Sequence, residues 1–127
     1  VTVTSPFGWR TWDDGSREVH KGIDFACTLG VTPIHAAKAG KVIYAQFNNG
    51  GYGNYVMIDN GKLISAYAHM SALTVHVGER VEQGQQVGIC GSTGNSTGPH
   101  SHFEIKTNLW SGELNPAKYL GIPNKVG

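Results

Sequence analysis

The chain carries little net charge and contains no long hydrophobic run. Its 127 residues include 10 Lys and Arg and 9 Asp and Glu, which gives a formal net charge of +1. This balance gives no reason to expect a nucleic acid or an anionic membrane surface as a partner. No apolar stretch approaches the roughly 20 residues that a membrane-spanning helix needs. The sequence starts at Val1 rather than Met, and its first residues do not have the pattern expected of a signal peptide. We therefore expect one monomeric domain over residues 1–127, processed or excised from a longer chain, with neither nucleic-acid binding nor membrane insertion.

Cysteine is also scarce. Only Cys27 and Cys90 occur, and neither belongs to a CxxC pair. A bond between them would close a long loop and would stabilise the fold by about 4 kcal/mol in the chain-entropy description. In a reducing compartment the same residues would be small buried hydrophobic side chains. The sequence leaves both alternatives open.

Glycine, in contrast, is abundant, with 18 residues, and favours tight turns between short strands. Alternating segments predict about eight short strands, at 21–26, 31–37, 41–47, 53–59, 63–70, 71–77, 85–90 and 98–105, of which 71–77 is either a short strand or an irregular segment. Residues 11–19 are expected to form an exposed loop. A helical turn is predicted only at residues 114–120, capped by Asn115 with Pro116 at its first position. The predicted fold class is therefore all-β with almost no helix, an antiparallel sandwich or an open barrel.

One predicted hairpin carries His69. Asn60-Gly61 is a strong turn signal between strands 53–59 and 63–70. By alternation, Tyr67 and His69 share one face of the second strand. Because hairpins place successive strands side by side, we expect the strands that carry His69 and His102 to lie in one sheet.

Two pairs of side chains suggest a metal site. His100 and His102 are two residues apart on a predicted strand, so they project from the same face with their backbones about 7 Å apart. His20 and Asp24 share a face of another strand, whereas Cys27 faces away. Two imidazoles and one carboxylate are donors typical of a catalytic zinc ion, with a water as the fourth ligand, whereas magnesium and calcium prefer oxygen ligands. The spacing alone does not choose between His100 and His102 as the third ligand beside His20 and Asp24.

Three motifs together give a specific resemblance. They are His20-x-x-x-Asp24, the segment 67–70 (Tyr-Ala-His-Met) and the segment 96–104 (Ser-Thr-Gly-Pro-His-Ser-His-Phe-Glu). In this order and spacing, the chain resembles the lysostaphin-type zinc endopeptidases, which act on bacterial cell-wall peptidoglycan. The segments 5–10, 21–25, 53–56 and 81–85 agree, so the resemblance covers residues 5–120.

The resemblance implies a zinc-dependent peptidoglycan endopeptidase with a substrate groove across a largely antiparallel sheet. It implies that His20, Asp24 and His102 bind zinc and that His69 and His100 are catalytic residues beside the metal-bound water. One of these two histidines is expected to accept the proton of the attacking water, and we favour His100. The other is expected to stabilise the oxyanion or to protonate the leaving nitrogen.

Where this chain departs from the family, the resemblance also gives expectations. Met70 and Ser101 stand where leucine is common, and we expect little effect from either. The groove walls are expected in the loops 11–19 and 47–52, which leaves open whether a glycine bridge or a bond beside a D-amino acid is cut. A bacterial peptidoglycan partner implies an extracellular or periplasmic location, or delivery on a phage particle.

The remaining candidate residues have plainer interpretations. His35 and His76 have no partner in a motif and are expected at the surface or half-buried. Glu104 shares the face of His102, where it either orients a ligand or faces solvent. Aromatic residues expected in the core or at the groove rim are Tyr52, Tyr55, Trp12 and Trp110.

Two other function classes are weighed against the enzyme. A catalytically silent wall-binding or regulatory module of the same fold is expected to lack at least one of the five His and Asp positions, and none is missing. A swinging-arm carrier, similar to biotinyl and lipoyl domains in segments 40–42 and 78–85, needs a modifiable lysine at a hairpin tip. The corresponding segment here is Ala68-His69-Met70, which contains no lysine.

Overall fold

The computed structural model describes residues 2–96 and 98–126, most of which lie in short strands or turns. The strands are β1 (Val3–Ser5), β2 (Gly8–Thr11), β3 (Arg17–His20), β4 (Ile23–Phe25), β5 (Pro33–His35), β6 (Gly40–Asn48), β7 (Gly53–Asp59), β8 (Ile64–Met70), β9 (Ala72–Leu73), β10 (Arg80–Val81), β11 (Gln86–Ile89), β12 (Ser101–Lys106) and β13 (Glu113–Leu114). Within the described residues the only helix is α1 (Pro116–Leu120). The all-β prediction is confirmed.

The largest sheet is antiparallel and has the strand order β1-β4-β12-β8-β7-β6-β10, with β13 paired to the end of β12. His102 on β12 lies opposite Asp24 on β4 and Ala68 on β8. The expectation that the His69 and His102 strands share a sheet is therefore confirmed. A smaller sheet has the order β5-β11-β9, and β2 pairs with β3 as a separate hairpin.

The large sheet is covered on both faces. One face packs Tyr67 and Phe103 against residues from the smaller sheet, such as Ile34 and Val87, and this layer forms the main hydrophobic core. The other face carries a smaller cluster, formed by Tyr55, Met57, Ala66 and Ala68. Two-sided burial explains why β7 and β8 are almost continuously apolar rather than alternating.

A disulfide joins Cys27 and Cys90, which are 63 residues apart in sequence. This observation decides between the two alternatives left open by the sequence. The bond connects the segment that follows β4 to the residue that follows β11. It therefore ties the large sheet to the smaller one, on the side of the sheet where the core lies.

The expected loop at residues 11–19 is wrong. Residues 8–20 form the β2–β3 hairpin, in which Trp9 lies opposite Val19 and Arg10 lies opposite Glu18. The Arg10 guanidinium and the Glu18 carboxylate are 2.6 Å apart across the two strands. The Asp14-Gly15 pair at the tip, with Gly15 at a φ of +86°, is the turn signal that the sequence interpretation missed.

The helical turn and the second hairpin are confirmed. The side chain of Asn115 accepts a hydrogen bond from the backbone N–H of Ala117 (3.0 Å), and Pro116 is the first residue of α1. Strands β7 and β8 are joined through Asn60-Gly61, of which only Gly61 has a positive φ. Within the described residues, no helix is both long and apolar enough to cross a membrane.

Candidate metal centre

A groove of about 910 Å³ runs across the face of the large sheet opposite the main core. It is lined by all five residues that the three motifs single out, namely His20, Asp24, His69, His100 and His102. The pairs that are far apart in sequence therefore meet in one place. This convergence is the condition on which the metal hypothesis depends.

Glycine at position 22 allows His20 and Asp24 to approach His102. Gly22 lies between β3, which ends at His20, and β4, which carries Asp24. A Cβ atom at Gly22 would lie 2.9 Å from Cε1 of His102 and would collide with the carbonyl oxygen of Phe103. Only a residue without a side chain lets this backbone pack so closely against β12.

Three donor atoms in the groove form a small triangle. His20 Nε2 lies 3.2 Å from both His102 Nδ1 and Asp24 Oδ1, and the last two atoms are 2.7 Å apart. With zinc–ligand bonds of about 2.0–2.1 Å, the edge of a coordination tetrahedron is about 3.3 Å long. Two edges of the triangle match that length, and the third is shortened to hydrogen-bond distance. The donor set of two imidazoles and one carboxylate also fits zinc.

The two ring orientations in this triangle are fixed from outside. His20 donates its Nδ1–H to the carbonyl oxygen of Pro6 (2.9 Å). His102 donates its Nε2–H to Oε2 of Glu104 (2.9 Å). Each hydrogen bond occupies the outer nitrogen and directs the inner one, His20 Nε2 or His102 Nδ1, towards the triangle. Acceptors in this position are characteristic of metal-binding histidines.

His69 reaches the groove through an irregularity in β8, which corrects the expectation that it shares a face with Tyr67. Tyr67 and Met70 both point into the main core, whereas the His69 ring lies 5.8 Å from the His102 ring in the groove. The register between β7 and β8 shifts here, and His69 adopts a φ of +61°, the only positive value among the described non-glycine residues. An extra residue in one strand, a β-bulge, redirects side chains in this way.

The rings of His69 and His100 face each other, and in both of them Nδ1 is hydrogen-bonded to a backbone carbonyl oxygen. Their ring centroids are 4.8 Å apart. His69 donates its Nδ1–H to the carbonyl oxygen of Thr93 (2.7 Å), and His100 donates its Nδ1–H to that of Gly98 (2.9 Å). The Nε2 atoms are therefore the lone-pair nitrogens, and that of His100 lies 3.7 Å from Asp24 Oδ1. Both rings can accept a proton in the groove.

Burial and hydrogen bonding shift the pKa values of the central groups in different directions. Burial opposes the charge of Asp24, but hydrogen bonds from His102 and His20 outweigh it and hold the pKa of Asp24 well below its usual range. Burial likewise disfavours the His102 cation, yet its hydrogen bonds to Asp24 and Glu104 raise the pKa of His102 to about 9. Burial lowers the pKa of His69, so this imidazole is neutral at neutral pH.

The family follows from a comparison of the whole sequence with known families. The profile of peptidase family M23 matches residues 18–116. The chain belongs to peptidase family M23. The M23 profile covers all three motifs, and the resemblance to lysostaphin-type enzymes is thereby confirmed.

Relatives of this M23 chain fall into two groups by name. It is 42% identical over 113 residues to the "DD-carboxypeptidase/endopeptidase Mpg" of Neisseria meningitidis, which covers 84% of this chain and 24% of that protein. It is 44% identical over 94 residues to "Glycyl-glycine endopeptidase ALE-1" of Staphylococcus capitis, which covers 72% of this chain and 26% of that protein. The chain therefore spans about a quarter of the length of these curated relatives.

A solved structure confirms the fold of the M23 chain. The catalytic domain of the antimicrobial peptidase lysostaphin from Staphylococcus simulans superimposes with a TM-score of 0.81 and 32% sequence identity. The match covers 95% of this chain and 92% of that one. The antiparallel sheet described above is thus the lysostaphin-type fold.

Glu104 of the M23 domain has a network that sequence reasoning only partly anticipated. Its side chain is 1% exposed, so the solvent-facing alternative is wrong. Besides the His102 ring, it accepts hydrogen bonds from the hydroxyl groups of Tyr52 (3.0 Å) and Tyr55 (3.1 Å). The ammonium of Lys106 lies 3.5 Å from Oε1. Lys106 was missed because a lysine at the end of a strand gives no sign of burial.

The groove of the M23 domain has more walls than the two predicted. The β2–β3 hairpin contributes Arg10, Trp12 and Glu18, and residues 50–52 form part of another wall, so both predicted segments take part. Trp110 also lines the groove, as do Asn95, Ser96, Gly98 and Pro99, and none of these was predicted as a wall. Trp12 and Trp110 are rim aromatics, whereas Tyr55 is fully buried.

Two histidines stay outside the groove, as expected. His35 is exposed and donates its Nδ1–H to the carbonyl oxygen of Gly84. His76 is exposed beside Glu79. Neither belongs to the group of described His, Cys, Asp and Glu side chains whose donor atoms converge, which is formed by His20, Asp24 and His102.

Proposed function

We propose that this domain is a zinc-dependent endopeptidase that hydrolyses peptide bonds of bacterial peptidoglycan, with His20, Asp24 and His102 as the zinc ligands. The observation that carries the proposal is the triangle of donor atoms in the groove, with its two inward-facing imidazole nitrogens. Membership of a metallopeptidase family and relatives that are named as endopeptidases support it.

The residues around the triangle have different roles in the proposed reaction. When bound, the zinc ion supplies Lewis-acid chemistry, which acidifies water and polarises a carbonyl oxygen. His100 accepts the proton of the water that attacks the substrate carbonyl, because the nearby Asp24 carboxylate stabilises the resulting imidazolium. That proton then passes to the leaving nitrogen. His69, on the opposite side of the histidine pair, faces the oxyanion that develops on the carbonyl.

A peptidoglycan substrate agrees with the rest of the molecule. The cross-links and stem peptides of the wall lie outside the cytoplasmic membrane, so we infer an extracellular, periplasmic or phage-particle location. The Cys27–Cys90 disulfide supports this, because such bonds persist in oxidising compartments. We also infer that the domain acts as a monomer and folds as one unit, since one chain supplies all five polar groups of the groove.

The test pairs metal analysis with wall digestion. The purified domain is expected to hold one zinc ion and to release new amino termini from isolated peptidoglycan. His102→Ala should lose both zinc and hydrolysis, whereas His69→Ala should keep zinc and lose hydrolysis. His76→Ala, at an exposed histidine outside the groove, is the matched control and should change neither. A His69→Ala protein that digests walls at the wild-type rate would contradict the assigned role.

The silent wall-binding module makes a different prediction in the same assay. It would bind peptidoglycan without producing new amino termini, even when loaded with zinc. Walls with glycine bridges and walls with direct cross-links should be digested in parallel. The termini released then identify the bond that is cut.

A further inference from the structure

Lys106 is a buried lysine that has no role in the proposed reaction. Its side chain is 0% exposed, although lysine is among the residues least often buried. The ammonium contacts the hydroxyl oxygen of Tyr55 (3.1 Å) and lies 3.5 Å from Oε1 of Glu104. The rings of Tyr52, Tyr55 and Trp110 surround it at 5.9, 5.6 and 5.5 Å. A buried charge is retained only where its partners compensate it, so this enclosure calls for a specific role.

The hydrogen bonds around Lys106 run in one direction. An ammonium group can only donate, so the Tyr55 oxygen accepts from Lys106 and its own hydrogen is directed to Glu104 Oε1 (3.1 Å). Glu104 Oε2 accepts from Tyr52 (3.0 Å) and from His102 Nε2–H (2.9 Å). The carboxylate is thus the shared acceptor of the cluster. Lys106 contacts it directly as a charge, and by donating to Tyr55 it also makes the Tyr55 hydroxyl donate to the carboxylate.

We propose that Lys106 is a positioning residue for the metal centre. It holds the Glu104 carboxylate within hydrogen-bond distance of His102 Nε2, both directly and through Tyr55. The carboxylate in turn keeps His102 Nδ1 directed into the donor triangle. Lys106 itself touches neither the ligands nor the substrate groove. The inference rests on the proposed function in so far as His102 binds the metal.

A purely structural role gives a different expectation. Buried ion pairs contribute little to fold stability compared with well-packed apolar residues, so the fold alone does not require a charge at position 106. Loss of the ammonium leaves Glu104, which lines the groove, without its lysine partner. The carboxylate is then expected to move towards the groove and to release the outer nitrogen of His102.

The experiment measures zinc affinity by competition with a chromophoric chelator. Lys106→Met has similar length and no charge, and it should weaken zinc binding about 10- to 100-fold, the usual effect of losing support for a metal-binding histidine. The absorption spectrum of the Co²⁺-substituted protein should change as well, because it reports ligand geometry. Lys41→Met on β6, at an exposed position, is the matched control and should leave affinity and spectrum unchanged.

A double-mutant cycle shows whether Lys106 acts through Glu104. In a Glu104→Gln background, Lys106→Met should weaken zinc binding by less than threefold, since the pathway is already broken. This pair also covers the case in which Lys106→Met alone fails to fold, because the double variant removes both buried charges. A tenfold loss that persists in the Glu104→Gln background would overturn the proposal.

The remaining outcomes separate this inference from the proposed function. A folded Lys106→Met protein with wild-type zinc affinity and an unchanged Co²⁺ spectrum would overturn the role of Lys106 alone. A wild-type domain that binds no zinc, or a His102→Ala variant that binds it normally, would instead overturn the proposed metal site.

Discussion

His69 donates its Nδ1–H to the carbonyl oxygen of Thr93 over 2.7 Å, from a backbone position with a φ of +61°. The hydroxyl group of Thr93 donates to the carbonyl oxygen of Met70 (2.7 Å) and accepts from the backbone N–H of Asn54 (3.1 Å). Thr93 therefore binds the ring of His69, the residue that follows it and the neighbouring strand. These contacts hold a strained residue in the orientation that faces the groove.

Replacement of Thr93 by valine should disturb catalysis more than metal binding. Thr93→Val keeps the shape of the side chain but removes both hydroxyl hydrogen bonds, so the free energy of unfolding should fall by about 1–2 kcal/mol. A displaced His69 ring should lower kcat about 10- to 100-fold, with zinc content unchanged. Thr74→Val removes a comparable hydrogen bond at an exposed site and is the control. Equal kcat values for the two variants would show that Thr93 does not position His69.

Gly22→Ala should weaken the metal centre by separating strands. The added Cβ would meet the Phe103 carbonyl oxygen and Cε1 of His102, so β4 must move away from β12. We expect the free energy of unfolding to fall by about 1–3 kcal/mol and the zinc content to drop. Denaturant titration and metal analysis measure the two effects, with Lys21→Ala at the adjacent exposed position as control. Full zinc occupancy in Gly22→Ala would contradict the close-packing argument.

Loss of the disulfide should destabilise the whole domain. The bond closes a loop of 63 residues, and the double variant Cys27→Ala/Cys90→Ala should lose about 4 kcal/mol of unfolding free energy. Urea titrations of this variant, and of the wild-type protein with and without reductant, measure the change. Reduced wild-type protein should match the variant. If reduction leaves the urea midpoint unchanged, the bond does not contribute as described.

The stability of the metal-free domain should depend on pH through His102. The pKa of His102 is raised from 6.5 to about 9, so its contribution to stability is complete below pH 6.5 and is lost as the pH rises to about 9. The pKa values of Asp24 and Glu104 are lowered, so their contributions are complete above about pH 4.5 and are lost in acid. The pKa of His69 is lowered by burial, so this residue increasingly favours the unfolded state as the pH falls below 6.5. Unfolding free energy measured in chelator should therefore be greatest near pH 6.5 and fall on both sides.

Two further measurements check the assignment of this pH dependence. With saturating zinc the decline above pH 6.5 should disappear, because the metal binds the deprotonated ring. His102→Gln has no titrating ring, and its metal-free stability should be flat over the same range. An identical decline in His102→Gln would assign the effect to another group.

Much of the site could be predicted from the sequence because regular strands alternate. His20 with Asp24, and His100 with His102, were placed on common faces by counting residues, and the structure brings these four side chains into one groove. Neither pair shares a single strand, however, because His20 ends β3 while Asp24 lies on β4, and His100 precedes β12. His69 could not be placed in this way. Its bulge depends on Thr93 and on the backbone of the neighbouring strand, which are contacts between distant segments.

The fold shows the same division between local and distant causes. The cap of α1 at Asn115 depends on its immediate neighbours and was predicted correctly. The β2–β3 hairpin also has a local signal, Asp14-Gly15, which was overlooked among exposed polar residues. The burial of Lys106 and the pairing of Cys27 with Cys90 depend on how separate strands pack, and no local pattern reports them.

The β2–β3 hairpin has a practical consequence for protein engineering. Among the described residues its strands pair with each other and not with the large sheet, although β3 ends at His20 and the inner side of the hairpin forms a groove wall. Its tip, residues 12–16, can therefore be lengthened or exchanged while the ladders beneath stay intact. Libraries confined to these five positions offer a route to new cleavage preferences, because the histidines and the aspartate of the metal centre stay unchanged.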